Sequence, residues 1–144
     1  MKYVVMAWEI KMYKGQCLCG AIKYEVDEIK AQMGHCHCSM CRKFHGAAFS
    51  TLGEADAKDF RWVEGGELLK NYVASNGSVR QFCQNCGSSM TFSASKESSG
   101  LIEFSIGTLD GDLDVPPDAH VYTDSKANWV DICDELPQHK KGRT

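Results

Sequence analysis

The chain has 144 residues (16.0 kDa), of which 43% are hydrophobic and 24% charged, with a formal net charge of −3 and a pI near 5.9. That balance suits one globular domain with its own apolar core. It argues against a nucleic-acid module, which carries a basic face, and no apolar run approaches the roughly 18 residues of a membrane span.

Residues 1–12 read as an N-terminal extension, in which Tyr3–Trp8 alternates loosely as an edge strand or a disordered leader, and Met12 is an equally natural start. No small-residue cleavage site follows the brief apolar run, so a cytoplasmic, thiol-reducing setting is expected. Cys17-Leu18-Cys19-Gly20 reads as a turn with Gly20 free to take positive φ. Ala21–Val26 sets Ile22, Tyr24 and Val26 against Lys23 and Glu25, the alternation of a half-buried strand. Ala31–Cys36 leads into His35-Cys36-His37-Cys38-Ser39-Met40-Cys41-Arg42-Lys43, where Ser39–Phe44 is predicted as one helical turn capped by Ser39. Ala47–Leu52 is a predicted strand and Glu54–Asp59 a short helix or turn. Phe60–Val63 runs into the turn Glu64-Gly65-Gly66. Further strands are predicted at Leu68–Ala74, Ser78–Phe82, Ser88–Ser93, Leu101–Gly107, His120–Tyr122 and Trp129–Cys133. Asn76-Gly77, the Cys83–Gly87 knuckle, the polar run Ser95–Gly100 and Pro116-Pro117 punctuate them. Trp62, Tyr72, Phe82, Phe92, Phe104 and Trp129 are assigned to the core. Many short strands and almost no long helical period imply a mainly β domain over residues 13–136, followed by a basic, solvated tail, 137–144.

Seven of the eight cysteines fall in three clusters, Cys17/Cys19, Cys36/Cys38/Cys41 and Cys83/Cys86. Packing does not call for so many clustered thiols, and a soft thiolate set selects Zn²⁺ over hard cations. In a reducing setting such clusters favour metal over disulfides. Cys83-x-x-Cys86-Gly87 has the form of a zinc knuckle, whose loop N–H groups donate to sulfur. Joining it to Cys17 and Cys19 completes a closed four-thiolate structural site, a pairing suggested by completeness and not dictated by sequence. Cys36, Cys38 and Cys41 supply three ligands and leave an exchangeable position, the pattern of a catalytic and more labile zinc. A fourth ligand from His35, His37, His45 or Cys133 would close that site. In an extended segment His35 and His37 point away from the cysteines. His45, one helical turn beyond Cys41, is the best placed of the four, and Cys133 reads as a small buried hydrophobe. Arg42, Lys43 and Arg80 flank the clusters, either offsetting thiolate charge or binding an anionic substrate.

Gly15-Gln16-Cys17-Leu18-Cys19-Gly20 with Tyr24, then Cys36–Lys43 with Gly46, then Arg80-Gln81-Phe82-Cys83-Gln84-Asn85-Cys86-Gly87 together resemble the glutathione-dependent formaldehyde-activating enzyme family, which includes centromere protein V-like proteins. The similarity runs from Tyr13 to Leu136. It implies an Mss4-like fold, a zinc-bound antiparallel β-tent of small packed sheets with few short helices. It also implies a structural zinc on Cys17, Cys19, Cys83 and Cys86, and a catalytic zinc on Cys36, Cys38 and Cys41. The implied activity is that of a carbon–sulfur lyase: condensation of formaldehyde with glutathione to S-(hydroxymethyl)glutathione, or its reverse. The implied partner is a small-molecule thiol such as glutathione. Two alternatives stand beside this, a zinc-stabilised binding module without turnover and a thiol-based zinc or redox sensor. A fourth protein ligand at the three-cysteine site favours the module, and an open position favours the enzyme.

Overall fold

The inward residues of the first alternating segment, Ile22, Tyr24 and Val26, are fully buried, and they set the plan of the fold. A computed structural model describes residues 11–96 and 99–143 of the chain, and the expected Tyr3–Trp8 strand lies outside them. The strands are β1 (Tyr13–Gln16), β2 (Lys23–Val26), β3 (Gly34–Cys36), β4 (Ser50–Asp56), β5 (Phe60–Glu64), β6 (Leu69–Val73), β7 (Val79–Cys83), β8 (Ser89–Ser93), β9 (Leu101–Ser105) and β10 (Ala119–Val121). One short helix, α1 (Ser39–His45), follows β3. No helix among the described residues is long and apolar enough to cross a membrane.

Two sheets form. A three-stranded sheet runs β1-β2-β5, and a seven-stranded sheet runs β10-β3-β4-β9-β8-β7-β6. The fold is therefore mainly β and built of small packed sheets, as expected, with one departure: β10 pairs with β3 in parallel. The core lies between the sheets, where Ile22, Tyr24, Val26 and Phe60 of the small sheet meet Ala55, Met90 and Phe104 of the large one. Tyr24 stacks on Phe60 with ring centroids 5.0 Å apart and meets Phe104 edge-on at 5.6 Å. Side chains alternate across a strand, so the residues between these core positions face the other side of the large sheet. That outer face carries the cavity described below.

Gly15 sits opposite Tyr24 in the β1–β2 register, and the Tyr24 ring lies over it with its hydroxyl bonded to Thr108 Oγ1 at 2.7 Å. A Cβ on Gly15 would meet Tyr24 Cζ at 2.3 Å. Gly15→Ala is therefore expected to destabilise the protein by about 1–3 kcal/mol through overpacking, measured as a lower urea midpoint. An unchanged midpoint would mean that the ring has another place to go.

Several expectations shift. The strand expected at Ala47–Leu52 starts at Ser50 and runs to Asp56, with a 3₁₀ turn confined to Ala57–Asp59. Trp129–Cys133 forms no strand, and Trp129 is 71% exposed rather than core. Tyr72, on β6 at the edge of the large sheet, is 54% exposed. Cys133 is exposed, not a buried hydrophobe. The basic tail keeps most of its side chains in solvent, as expected, while its backbone docks beside β10. His120 N–H donates to Pro137 O at 2.9 Å, His139 N–H to His120 O at 2.8 Å, and Tyr122 N–H to Lys141 O at 2.9 Å. Lys141–Asp124 and Arg143–Asp118 ion pairs add a little at the surface. The tail thus supplies partners for the backbone of β10, which would otherwise be an open edge.

Candidate metal centres and an adjoining cavity

Two groups of sulfur atoms come together. The Sγ atoms of Cys17, Cys19, Cys83 and Cys86 lie within 4.8 Å of one another, as do those of Cys36, Cys38 and Cys41. All eight cysteines are free of disulfides. A tetrahedral site with Zn–S bonds of roughly 2.3 Å separates its sulfurs by about 3.8 Å. Cys17–Cys19 measures 3.5 Å and Cys19–Cys83 3.9 Å, so this donor set fits zinc in spacing as well as in chemistry.

The four-cysteine group is built on the core. Cys17 and Cys83 belong to the buried cluster, while Cys19 and Cys86 close the set from its rim. Gly20 takes φ +78° after Cys19, the left-handed turn that lets the chain reverse after the second sulfur. Ile22 N–H donates to Cys17 Sγ at 3.3 Å, and Cys86 Sγ lies 3.3 Å from Ser88 Oγ. Burial opposes ionisation of Cys86, yet the Ser88 hydroxyl and N–H pull its thiol down to about 5. Donors aimed at sulfur are what a thiolate ligand needs.

The three-cysteine group belongs to the outer side of the large sheet. Cys36 ends β3, Cys38 precedes α1 and Cys41 lies in its first turn. The helix cap is Cys38, not Ser39: its Sγ accepts from Cys41 N–H at 3.3 Å. The Cys41 thiol is pulled down by Cys36, then Cys38, against burial, with Arg80 assisting. Arg80 Nη2 donates to Cys41 Sγ at 3.6 Å. Arg80 is only 3% exposed, and its guanidinium lies over the rings of Phe92 and Phe44, at 4.8 Å and 5.3 Å.

His35 and His37 turn away from the sulfurs, as the alternation predicts. His37 Nε2 lies 2.8 Å from His120 Nδ1, and His120 Nε2 lies 2.9 Å from Asp134 Oδ2. This chain, buried at His37 and His120 and exposed at Asp134, ties the residue between Cys36 and Cys38 to β10 and the C-terminal segment. His45 instead meets Ser89 Oγ at 3.4 Å. Among the described residues, no fourth Cys, His, Asp or Glu joins the three cysteines.

The three cysteines line a cavity of about 610 Å³. Arg80 lines it too, whereas Arg42 and Lys43, the other two cations considered for an anionic substrate, do not. The cavity also holds Glu54 and Glu103, which sequence reasoning passed over. A carboxylate between Ile102 and Phe104 in an apolar strand was the available signal. The His120–Asp134 pair carries no local signal, since 14 residues separate the partners.

Comparison with known proteins identifies the family. The model of the family described as "Glutathione-dependent formaldehyde-activating enzyme" matches residues 12–125. A Halomonas elongata protein named "Putative glutathione-dependent formaldehyde-activating enzyme" is 27% identical over 128 residues, covering 84% of this chain and 81% of the relative. An uncharacterized lyase of Schizosaccharomyces pombe is 30% identical over 80 residues, 56% of each chain. A crystal structure of a Rhodobacter sphaeroides protein superposes with a TM-score of 0.57 at 28% identity, covering 70% of this chain and 91% of that one.

Proposed function

The chain belongs to the glutathione-dependent formaldehyde-activating enzyme family, and from that premise we propose that it is a zinc-dependent carbon–sulfur lyase that joins a thiol such as glutathione to formaldehyde and splits the adduct in reverse. The observation that carries this reading is the three-thiol group in the wall of the cavity, with no fourth donor beside it among the described residues. An open position of this kind separates catalytic from structural zinc sites, and it favours turnover over a binding module.

On this reading Cys17, Cys19, Cys83 and Cys86 hold a structural zinc, and Cys36, Cys38 and Cys41 the catalytic one. A zinc ion there would supply Lewis acidity that keeps a substrate thiol ionised at neutral pH. Arg80 offsets the negative charge of the sulfurs through its bond to Cys41, and Phe44 and Phe92 hold its guanidinium flat. The His37–His120–Asp134 chain fixes the loop that aims Cys36 and Cys38. A cavity of about 610 Å³ lies within the range that encloses ligands of tripeptide size. In the forward direction a bond forms between the thiol sulfur and the formaldehyde carbon. The carbonyl π pair moves to oxygen, and the proton lost by the thiol ends on the new hydroxyl. Eight free thiols suit a reducing, cytoplasmic setting.

Formaldehyde exchange with S-(hydroxymethyl)glutathione, followed by NMR with zinc-loaded protein, tests the reaction. Exchange faster than in buffer is expected from wild type. No acceleration would reject this substrate pair.

A further inference from the structure

The register of the large sheet places four side chains in one row across its outer face. Glu54 of β4 pairs with Glu103 of β9, Glu103 with Phe92 of β8, and Phe92 with Arg80 of β7. All four line the cavity. The row therefore runs from two carboxyls, past an aromatic ring, to a guanidinium beside Cys41.

We infer that this row is a ligand subsite in which Glu54 and Glu103 receive a primary ammonium group and Arg80 receives an acceptor, such as a carboxylate, on the same ligand. The inference takes from the proposed function only that the ligand is a thiol.

Like charges directly opposite each other in an antiparallel pair repel, and among the described residues no cation pairs with Glu54 or Glu103. Burial first, then Glu54 and Cys41, push the Glu103 carboxyl up to about 7; the unpaired, facing carboxyls are what an added positive charge would relieve. Glu54 and Glu103 are the two carboxylates that line the cavity, and a hard divalent cation held there would keep most of its water shell. An ammonium group needs fewer partners, and the Phe92 ring beside Glu103 offers it a π face. The independent sign of a ligand is at the other end of the row. Arg80 is 97% buried, being 3% exposed, and while Nη2 is bonded to Cys41, its Nη1 has no hydrogen-bond partner among the described residues. A buried donor left unpaired is costly, and its residue is one of those that line the cavity. Arg80 and Glu103 do not pair with each other across the intervening strand. Two strand spacings, about 10 Å at the backbone, separate them, so the ligand carries its two charges on different ends of a short chain.

The test is binding to the zinc-loaded protein by isothermal titration, using two pairs of thiols. Glutathione is compared with its des-amino analogue, and cysteamine with 2-mercaptoethanol. An amine also acidifies its thiol, so the quantity read is the change in each amine preference between wild type and the Glu54→Gln/Glu103→Gln double variant. Circular dichroism and zinc content establish that the variant is folded and loaded. The expected result is a preference that falls by about tenfold or more in the double variant, the size of one partly buried charge pair. A single Glu103→Gln variant is expected to give part of that loss. A preference unchanged by both variants, or no binding of any of the four thiols, would overturn the inference. Intact amine preference without formaldehyde exchange would retain the subsite and remove the proposed reaction, and exchange without amine preference would do the opposite.

Discussion

Cys83→Ser is expected to leave the chain largely unfolded or aggregated under conditions that keep the wild type folded. Cys83 is fully buried in the cluster that joins the two sheets, and its sulfur lies 3.9 Å from Cys19 Sγ. On the proposed assignment it is a ligand of the structural zinc. Zinc bound at such a site contributes on the order of 10 kcal/mol of folding free energy, comparable to the whole stability of an ordinary domain. A serine hydroxyl does not replace a thiolate ligand, and it leaves a polar group in the core. Cys38→Ser, on the outer side of the sheet, is expected to remain folded with a modestly lower Tm. Thermal unfolding followed by circular dichroism, with zinc content measured in parallel, checks both. A wild-type Tm for Cys83→Ser would remove the structural role.

The second large effect concerns turnover. Cys41→Ser is expected to lower kcat/KM for formaldehyde exchange by on the order of 10³-fold, the scale seen when one electrostatic element of an active site is removed. Cys41 is the sulfur that Arg80 contacts, and its thiol is pulled down by Cys36 and Cys38. It also lies outside the cluster that joins the sheets, so loss of activity should come with a folded protein. Stopped activity with an unchanged circular dichroism spectrum is the expected pair of observations. Near-wild-type exchange would place the chemistry elsewhere.

Much of this was legible in the chain. Cysteine spacing is local information, and the C-x-C, C-x-C-x-x-C and C-x-x-C clusters appear in the structure as the two sulfur groups. The alternation of Ile22, Tyr24 and Val26 marked the inward face of β2 and of the residue before it, and Gly20 marked the turn ahead of it. The misreadings share a cause: burial is decided by what arrives from elsewhere in the chain. Trp129 is as hydrophobic as any core residue, yet it is left 71% exposed. Ser39 is a good cap by composition, but Cys38 sits one residue earlier with its sulfur already aimed at the Cys41 N–H. The solvated tail was legible from its charges, but its backbone docking was not, because backbone groups beside β10 carry no sequence signature. Glu54 and Glu103 became a pair only once β4 and β9 were placed in register.

The central claim is two unlike zinc sites, one built on the core and one open to the cavity, and native mass spectrometry of protein purified without chelator tests it most directly. Two zinc ions per chain are expected, with one removed by a mild chelator and one retained. In Cys38→Ser only the retained ion should remain. Three protein ligands hold an ion less firmly than four, and the exchangeable position admits a competitor. Protein that binds no zinc, or that loses both ions together at the same chelator concentration, would contradict the account.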